Sequence, residues 1–375
     1  MQVSRRTLLL GSVSIGVTSR IPPSRIEAAR QVVRDLLAAT PVPAFSVAVY
    51  QHDAPIWAEA FGKADLELDI VATSAHRFRL GSVSKAITAT LAAVLAERGG
   101  VDLDAPIARY MPELPEQHRS TTARQLLTHR GGIRHYNNHD FDLTAPGGSI
   151  DNRNYASSAD ILGIFVSDPL IARPGERVSY STFGYSLVSL VLEAAARTPF
   201  PELIQSEIAR PLALKSLGPD APRSIVPARV PGYIPRAQAG WARPAVEGPW
   251  ANASMNNPAY KWAGGGLLAT PTDLALFGAA HLAPGKLSRS ILDALFTVHT
   301  QATENSPPLG LGWRIDEDPA KRLRWHHAGG QDGARASLVV YPKENLSIAL
   351  ATNLTGTPGD VNGASAKIAD ALLGV

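Results

Sequence analysis

The alternating, strand-like runs of this chain fall at its two ends, and the stretch between them reads as helix and loop. At the N-terminal end, residues 43–50 (PAFSVAVY) read as a strand and 54–62 as its hairpin partner, with His52-Asp53 in the turn. Strand patterns return at 310–315, 324–327, 336–341 and 346–353. Helical patterns at 24–39 and from about Gly363 to Leu373 flank the two sets. From about Leu103 to Trp250 the chain is rich in helix signals punctuated by Pro and Gly. Strands so far apart bury their apolar faces most simply in one antiparallel sheet built from both ends. The expected fold is therefore α+β, with helices covering that sheet and a helical lobe inserted in it. The expected boundaries are a sheet lobe of 24–80 and 255–375 and a helical lobe of 81–254. A cleft between two lobes is a common ligand site.

Composition narrows the class. The chain has 375 residues, of which 45% are hydrophobic and 18% charged, an ordinary globular balance. The formal net charge of +3 is scattered, with no basic block interleaved with aromatics, so nucleic acid binding has no support. Cys is absent, which excludes disulfides, thiolate metal sites and a cysteine nucleophile. At the N-terminus Arg5-Arg6 precede a short apolar stretch, and Val17-Thr18-Ser19 offer small residues for cleavage. Residues 1–23 are thus expected to be a twin-arginine-type bacterial export signal, giving a periplasmic or secreted protein. No later apolar run reaches the roughly 20 residues of a membrane helix. No cofactor or metal is expected. A small molecule or peptide is the expected partner, and self-association is open.

The chemistry concentrates in three places. In Phe78-Arg79-Leu80-Gly81-Ser82-Val83-Ser84-Lys85, a serine and a lysine stand three apart at the start of an Ala- and Leu-rich helical run. Positions i and i+3 share a helix face, so the Lys85 amine can lie beside the Ser82 hydroxyl. A lysine entering a buried helix is costly unless neutral, paired or used, and a desolvated amine can take a serine proton. In Pro174-Gly175-Glu176-Arg177-Val178-Ser179-Tyr180-Ser181-Thr182, a turn leads to Tyr180. Beside a lysine cation its phenol would ionise more easily, to act as base or to relay a proton to the leaving group. Tyr185 competes with it but is expected to pack. In Trp325-His326-His327-Ala328-Gly329-Gly330, a strand ends in small residues that a substrate backbone can approach. The Gly330 and Ser82 N–H groups would form an oxyanion hole. His326 and His327 face opposite ways on a strand and cannot easily share a metal.

The order and spacing of Ser82-Val83-Ser84-Lys85, Tyr180-Ser181-Thr182 and His327-Ala328-Gly329 resemble the class C beta-lactamase-like, penicillin-binding-protein-like serine hydrolases. Three further blocks resemble the mitochondrial serine beta-lactamase-like protease branch: residues 132–136 (GIRHY), 180–185 (YSTFGY) and 260–266 (YKWAGGG). The resemblance implies a two-lobe fold with the site at the interface. It implies Ser82 as nucleophile, Lys85 and Tyr180 as the proton-transfer pair, and an acyl-enzyme resolved by water. Gly329, His327, Thr182 and Trp262 would border the substrate. Two departures stand out. Thr182 replaces the family's usual Asn, and His327 replaces a lysine with a group expected to be about half-charged near neutral pH. Both predict poor beta-lactamase activity. The leading expectation is a peptidase for small or linear peptides, with room for a specialised role such as a step in degrading a linearised cyclic peptide. The alternatives are a carboxylesterase or D-stereospecific amidase, or a non-catalytic, filament-forming protein. His129 is expected to be a buried hydrogen-bonding residue. Arg134, His135 and Tyr136 are expected either to line the cleft or to fix a loop. Asn137–Asp140 is expected to be a solvated loop, and Thr272-Asp273 a helix start.

Overall fold

The computed structural model describes residues 21–238, 248–303 and 306–375. The twin-arginine run and its apolar stretch lie outside the described residues. Two strands near the N-terminus, β1 (Ala44–Gln51) and β2 (Ala54–Asp65), form the expected hairpin, and a short β3 (Ile70–Val71) edges it. Near the C-terminus lie β4 (Arg314–Glu317), β5 (Leu323–Gln331), β6 (Ala334–Tyr341) and β7 (Leu346–Thr352). All seven join in one antiparallel sheet in the order β3-β2-β1-β7-β6-β5-β4. The two ends of the chain meet at its centre, where β1 pairs with β7 from Phe45↔Thr352 to Gln51↔Leu346.

Strand alternation decides what covers each face. Phe45, Val47 and Val49 of β1, with Leu346, Ile348 and Leu350 of β7, pack under α1 (Pro23–Ala39) and the last helix, Val361–Leu373. Ala48, Ala349 and Ala351 face the larger core on the other side. Their small side chains let the helix Pro271–Ala280 lie close to the sheet. That helix starts at a Thr270 cap, not at Thr272-Asp273: the Thr270 hydroxyl accepts from Asp273 N–H.

Two further helices carry the middle of the chain. In α2 (Ser84–Glu97) every residue from Ser84 to Leu95 is buried, Lys85 included. The helix α3 (Thr182–Ala196) starts at Thr182 because Ser181 caps it by accepting from Gly184 N–H. The strand expected at 310–315 begins only at Arg314. Gly312 has φ +69°, and a Cβ there would lie 2.8 Å from the Lys85 carbonyl, so this segment packs against α2 instead of joining the sheet. Among the described residues no helix is long and apolar enough to cross a membrane.

Candidate active site

Ser82 is the middle residue of a 3-10 turn, Gly81–Val83, that runs directly into α2. The turn touches β5 backbone to backbone. A Cβ on Gly81, whose φ is +51°, would come within 2.6 Å of the Gly330 nitrogen. A Cβ on Gly329 would come within 1.9 Å of the Leu80 carbonyl oxygen and 2.9 Å of the Ser82 nitrogen. Glycine at both positions is what lets Ser82 and Gly330 stand side by side in one cleft wall.

Lys85 Nζ lies 3.2 Å from Ser82 Oγ. It donates to the Gly264 carbonyl at 2.5 Å and to Thr182 Oγ1 at 3.2 Å. No carboxylate pairs with it among the described residues. Burial pushes its pKa well below the usual lysine range, and the cations of Lys261 and Arg314 push the same way. A neutral amine has two N–H donors and a lone pair. In the neutral form, which burial favours, Gly264 and Thr182 take both donors and the lone pair is left toward Ser82. The glycine run Gly264-Gly265-Gly266 thus supplies, through the Gly264 carbonyl, an acceptor that fixes the amine. Thr182 likewise engages Lys85 while lining the cleft.

The Tyr180 hydroxyl donates to Ser82 Oγ at 2.8 Å. Its ring packs tilted against His129, centroids 4.4 Å apart at 35°, and lies 4.8 Å from Lys85 Nζ. A lysine cation was expected to ease its ionisation. The structure gives the opposite: burial pushes Tyr180 up to about 12, against a smaller lowering by the Ser82 bond and Arg314. Tyr180 is therefore a protonated phenol. His129 is the expected buried residue, accepting from Ser181 N–H at 3.2 Å through Nδ1, and burial holds it neutral. Tyr185 packs, with its hydroxyl donating to Leu127 carbonyl at 2.8 Å.

His327 corrects a second expectation. It is buried, and desolvation, with Lys85 and Arg314 in support, pushes it well below the range in which it would be half-charged. It is a neutral side chain lining a smaller cavity of about 110 Å³ behind Tyr180, with His129, Trp313 and Arg314. The permanent cation of that cavity is Arg314, on β4, which the sequence did not single out. His326 points to the other side of the sheet, toward Asp316 and Asn362.

The main cleft has a volume of about 520 Å³, within the range of small-ligand sites. Ser82, Thr182, Gly264, Gly265 and Gly330 line its floor, with His135, Tyr136, Asp151 and Lys261 around them. Trp262, expected at this border, turns away: its indole N–H donates to the Asp220 carbonyl at 3.1 Å, and its neighbours Lys261 and Gly264 line the cleft in its place. The GIRHY block divides. His135 and Tyr136 line the cleft, while Arg134 fixes a loop through Asp140 at 2.8 Å and Asp168 at 2.6 Å. The expected solvated loop is partly a short helix, Asn138–Phe141, whose Asp140 is buried by that ion pair.

A serine hydroxyl held between a buried amine whose pKa is pushed down and a protonated phenol, on the floor of a cleft, defines the equipment of a serine hydrolase. The chain belongs to the beta-lactamase family, whose model matches residues 29–373. The human mitochondrial serine beta-lactamase-like protein LACTB is 25% identical over 412 aligned positions, covering 87% of this chain and 74% of that protein. Esterase EstB of Burkholderia gladioli is 27% identical over 307 positions, covering 75% of this chain and 77% of the esterase. Among solved structures, the D-amino acid amidase from Ochrobactrum anthropi SV3 complexed with L-phenylalanine matches with a TM-score of 0.80. The amidase is 22% identical, with 93% of this chain and 99% of that one covered.

Proposed function

We propose that this serine hydrolase is a peptidase that cleaves small or linear peptides through an acyl-enzyme on Ser82. The observation that carries the reading is the buried, carboxylate-free Lys85 amine, its pKa pushed down, 3.2 Å from a hydroxyl that Tyr180 also holds. Lys85 takes the Ser82 proton as Oγ attacks the substrate carbonyl carbon. The resulting oxyanion sits between the Ser82 and Gly330 N–H groups. The Lys85 ammonium, now charged in a dry site, passes its proton through the Tyr180 hydroxyl to the leaving nitrogen. The C–N bond breaks and the acyl group stays on Ser82. Water then attacks the ester, giving its proton back along the same route and releasing the acid. Tyr180 lines the cavity that holds Arg314, and departure of the leaving group toward that cation would suit a peptide carboxylate.

Mass spectrometry of a diverse peptide mixture incubated with wild-type and Ser82→Ala protein tests this. Cleavage by wild type only is expected; equal cleavage by both would refute it. Ester hydrolysis by the same residues is the second reading, favoured by the likeness to an esterase. Turnover of short p-nitrophenyl esters far above that of any peptide would decide for it.

A further inference from the structure

The cleft holds a second amine that no step above uses. Lys261 closes the 3-10 turn Pro258–Lys261 and is only 7% exposed, yet it lines the cleft. Its Nζ lies near the ring faces of Tyr136 and Tyr260, 5.8 and 5.3 Å from their centroids. Its partner is Asp151, at 3.5 Å. The same Asp151 oxygen already accepts the Tyr260 hydroxyl at 2.9 Å. Among the described residues Lys261 Nζ makes no hydrogen bond, although it carries three donors. A cation this buried and this poorly served is costly unless something enters to complete it.

Its position relative to Ser82 is defined. A Cβ on Gly265 would lie 3.9 Å from Lys261 Cδ and 3.7 Å from the Gly81 carbonyl carbon. One glycine therefore separates the lysine stem from the turn that carries Ser82. Lys261 shares the main cleft with Thr182 and Gly264, whereas Arg314 lies in the cavity behind Tyr180. The two cations thus line separate cavities, and with the leaving group taken toward Arg314 the cleft that holds Lys261 is left for the acyl portion.

We propose that Lys261 is an anion-binding subsite that takes the side-chain carboxylate of a glutamate or aspartate in the acyl portion of the substrate. The word acyl rests on the Ser82 reading; the carboxylate contact does not. Phe141, Leu143 and Met255 on the rim of the same cleft add apolar contact for the neighbouring residue.

Calorimetric titration of Ser82→Ala protein with acetylated peptides that differ only in Glu or Gln, scanned along the sequence, tests it. At one position the Glu peptide is expected to bind about tenfold to a hundredfold more tightly, as for a hydrogen bond to a charged group. The gap is expected to collapse when Lys261→Met is added, which keeps the stem and removes the charge. Should that variant fail to fold, Asp151→Asn removes the competing carboxylate and keeps the Tyr260 acceptor; there the gap is expected to widen. Equal affinities for every Glu/Gln pair, or a gap unchanged in Lys261→Met, overturns the proposal. A Glu preference in a protein whose wild type cleaves nothing would support the subsite and sink the Ser82 reading.

Discussion

Gly329→Ala is the sharpest test of how the site is built, because the residue touches no substrate group in the proposed chemistry. The added Cβ would sit 1.9 Å from the Leu80 carbonyl oxygen, 2.9 Å from the Ser82 nitrogen and 3.0 Å from the Leu80 carbonyl carbon. All three are backbone atoms, so no side chain can swing aside. Reaching ordinary contact at 3.4 Å requires the turn and β5 to part by about 1.5 Å. Overpacking of this kind costs about 1–3 kcal/mol of stability. The larger effect is on chemistry. The gap opens between Ser82 and Gly330, whose N–H groups must converge on one oxygen, and a misplacement of about 1 Å costs on the order of 100-fold in rate. The assay is kcat/KM on a cleaved peptide, with the rate of Ser82 labelling by a fluorophosphonate and a thermal melt alongside. We expect kcat/KM to fall about 100-fold while the protein stays folded. A Gly329→Ala protein with wild-type kcat and labelling rate would show that the turn and strand do not set each other's position.

Lys85→Met and Lys85→Arg should both lose about 10²- to 10⁴-fold in kcat, since arginine keeps a cation but cannot give up its proton; activity retained in the arginine variant would mean that charge, and not a lone pair, is what Ser82 needs. In a pH profile, kcat/KM should rise as Lys85 loses its proton, at a value well below the usual lysine range, and then stay flat, because Tyr180 holds its proton to about 12. A fall that begins at neutral pH would contradict a protonated phenol. His281 is buried between Thr90 and Phe277 and pushed down to about 4 by desolvation, from 6.5 when unfolded. Its depressed value means stability that is present above 6.5 and lost as pH falls toward 4, up to about 3 kcal/mol; melts at pH 7 and 4.5 should show a smaller drop for His281→Gln than for wild type. Nitrocefin turnover should be poor, because His327 is neutral and Thr182 engages Lys85; rapid hydrolysis by pure protein would overturn that.

The parts of the site that sequence makes legible are those set by local geometry. Ser82 and Lys85 meet because they are one helical turn apart, and Tyr180 stands where its turn and the capped α3 begin. What completes the amine comes from 97 residues away at Thr182 and 179 at Gly264. Nothing in spacing announces a carbonyl acceptor, since every residue has one. Charge state was the other blind spot. The expectation for His327 rests on its solution pKa and that for Tyr180 on the charge of a lysine beside it, and burial holds both neutral. For the fold, period-two alternation was enough to find β1, β2, β6 and β7. It failed at 310–313, where Gly312 carries a positive φ and a close approach to α2 that no hydropathy pattern encodes. Trp262 was misplaced for a similar reason: a cleft-bordering run does not say which of its side chains turns inward.

The pairing of β1 with β7 has a consequence for the order in which the protein comes into being. Phe45 is matched with Thr352, and the turn bearing Ser82 rests on Gly329 of β5. A chain made from its N-terminus has its serine and lysine long before it has the strands that seat them. Contacts so distant in sequence form late, because a long loop must close before they return any stabilisation. The hydrolase is therefore inert for most of its synthesis, and a product cut short before β5 would carry Ser82 and Lys85 without Gly330 beside them.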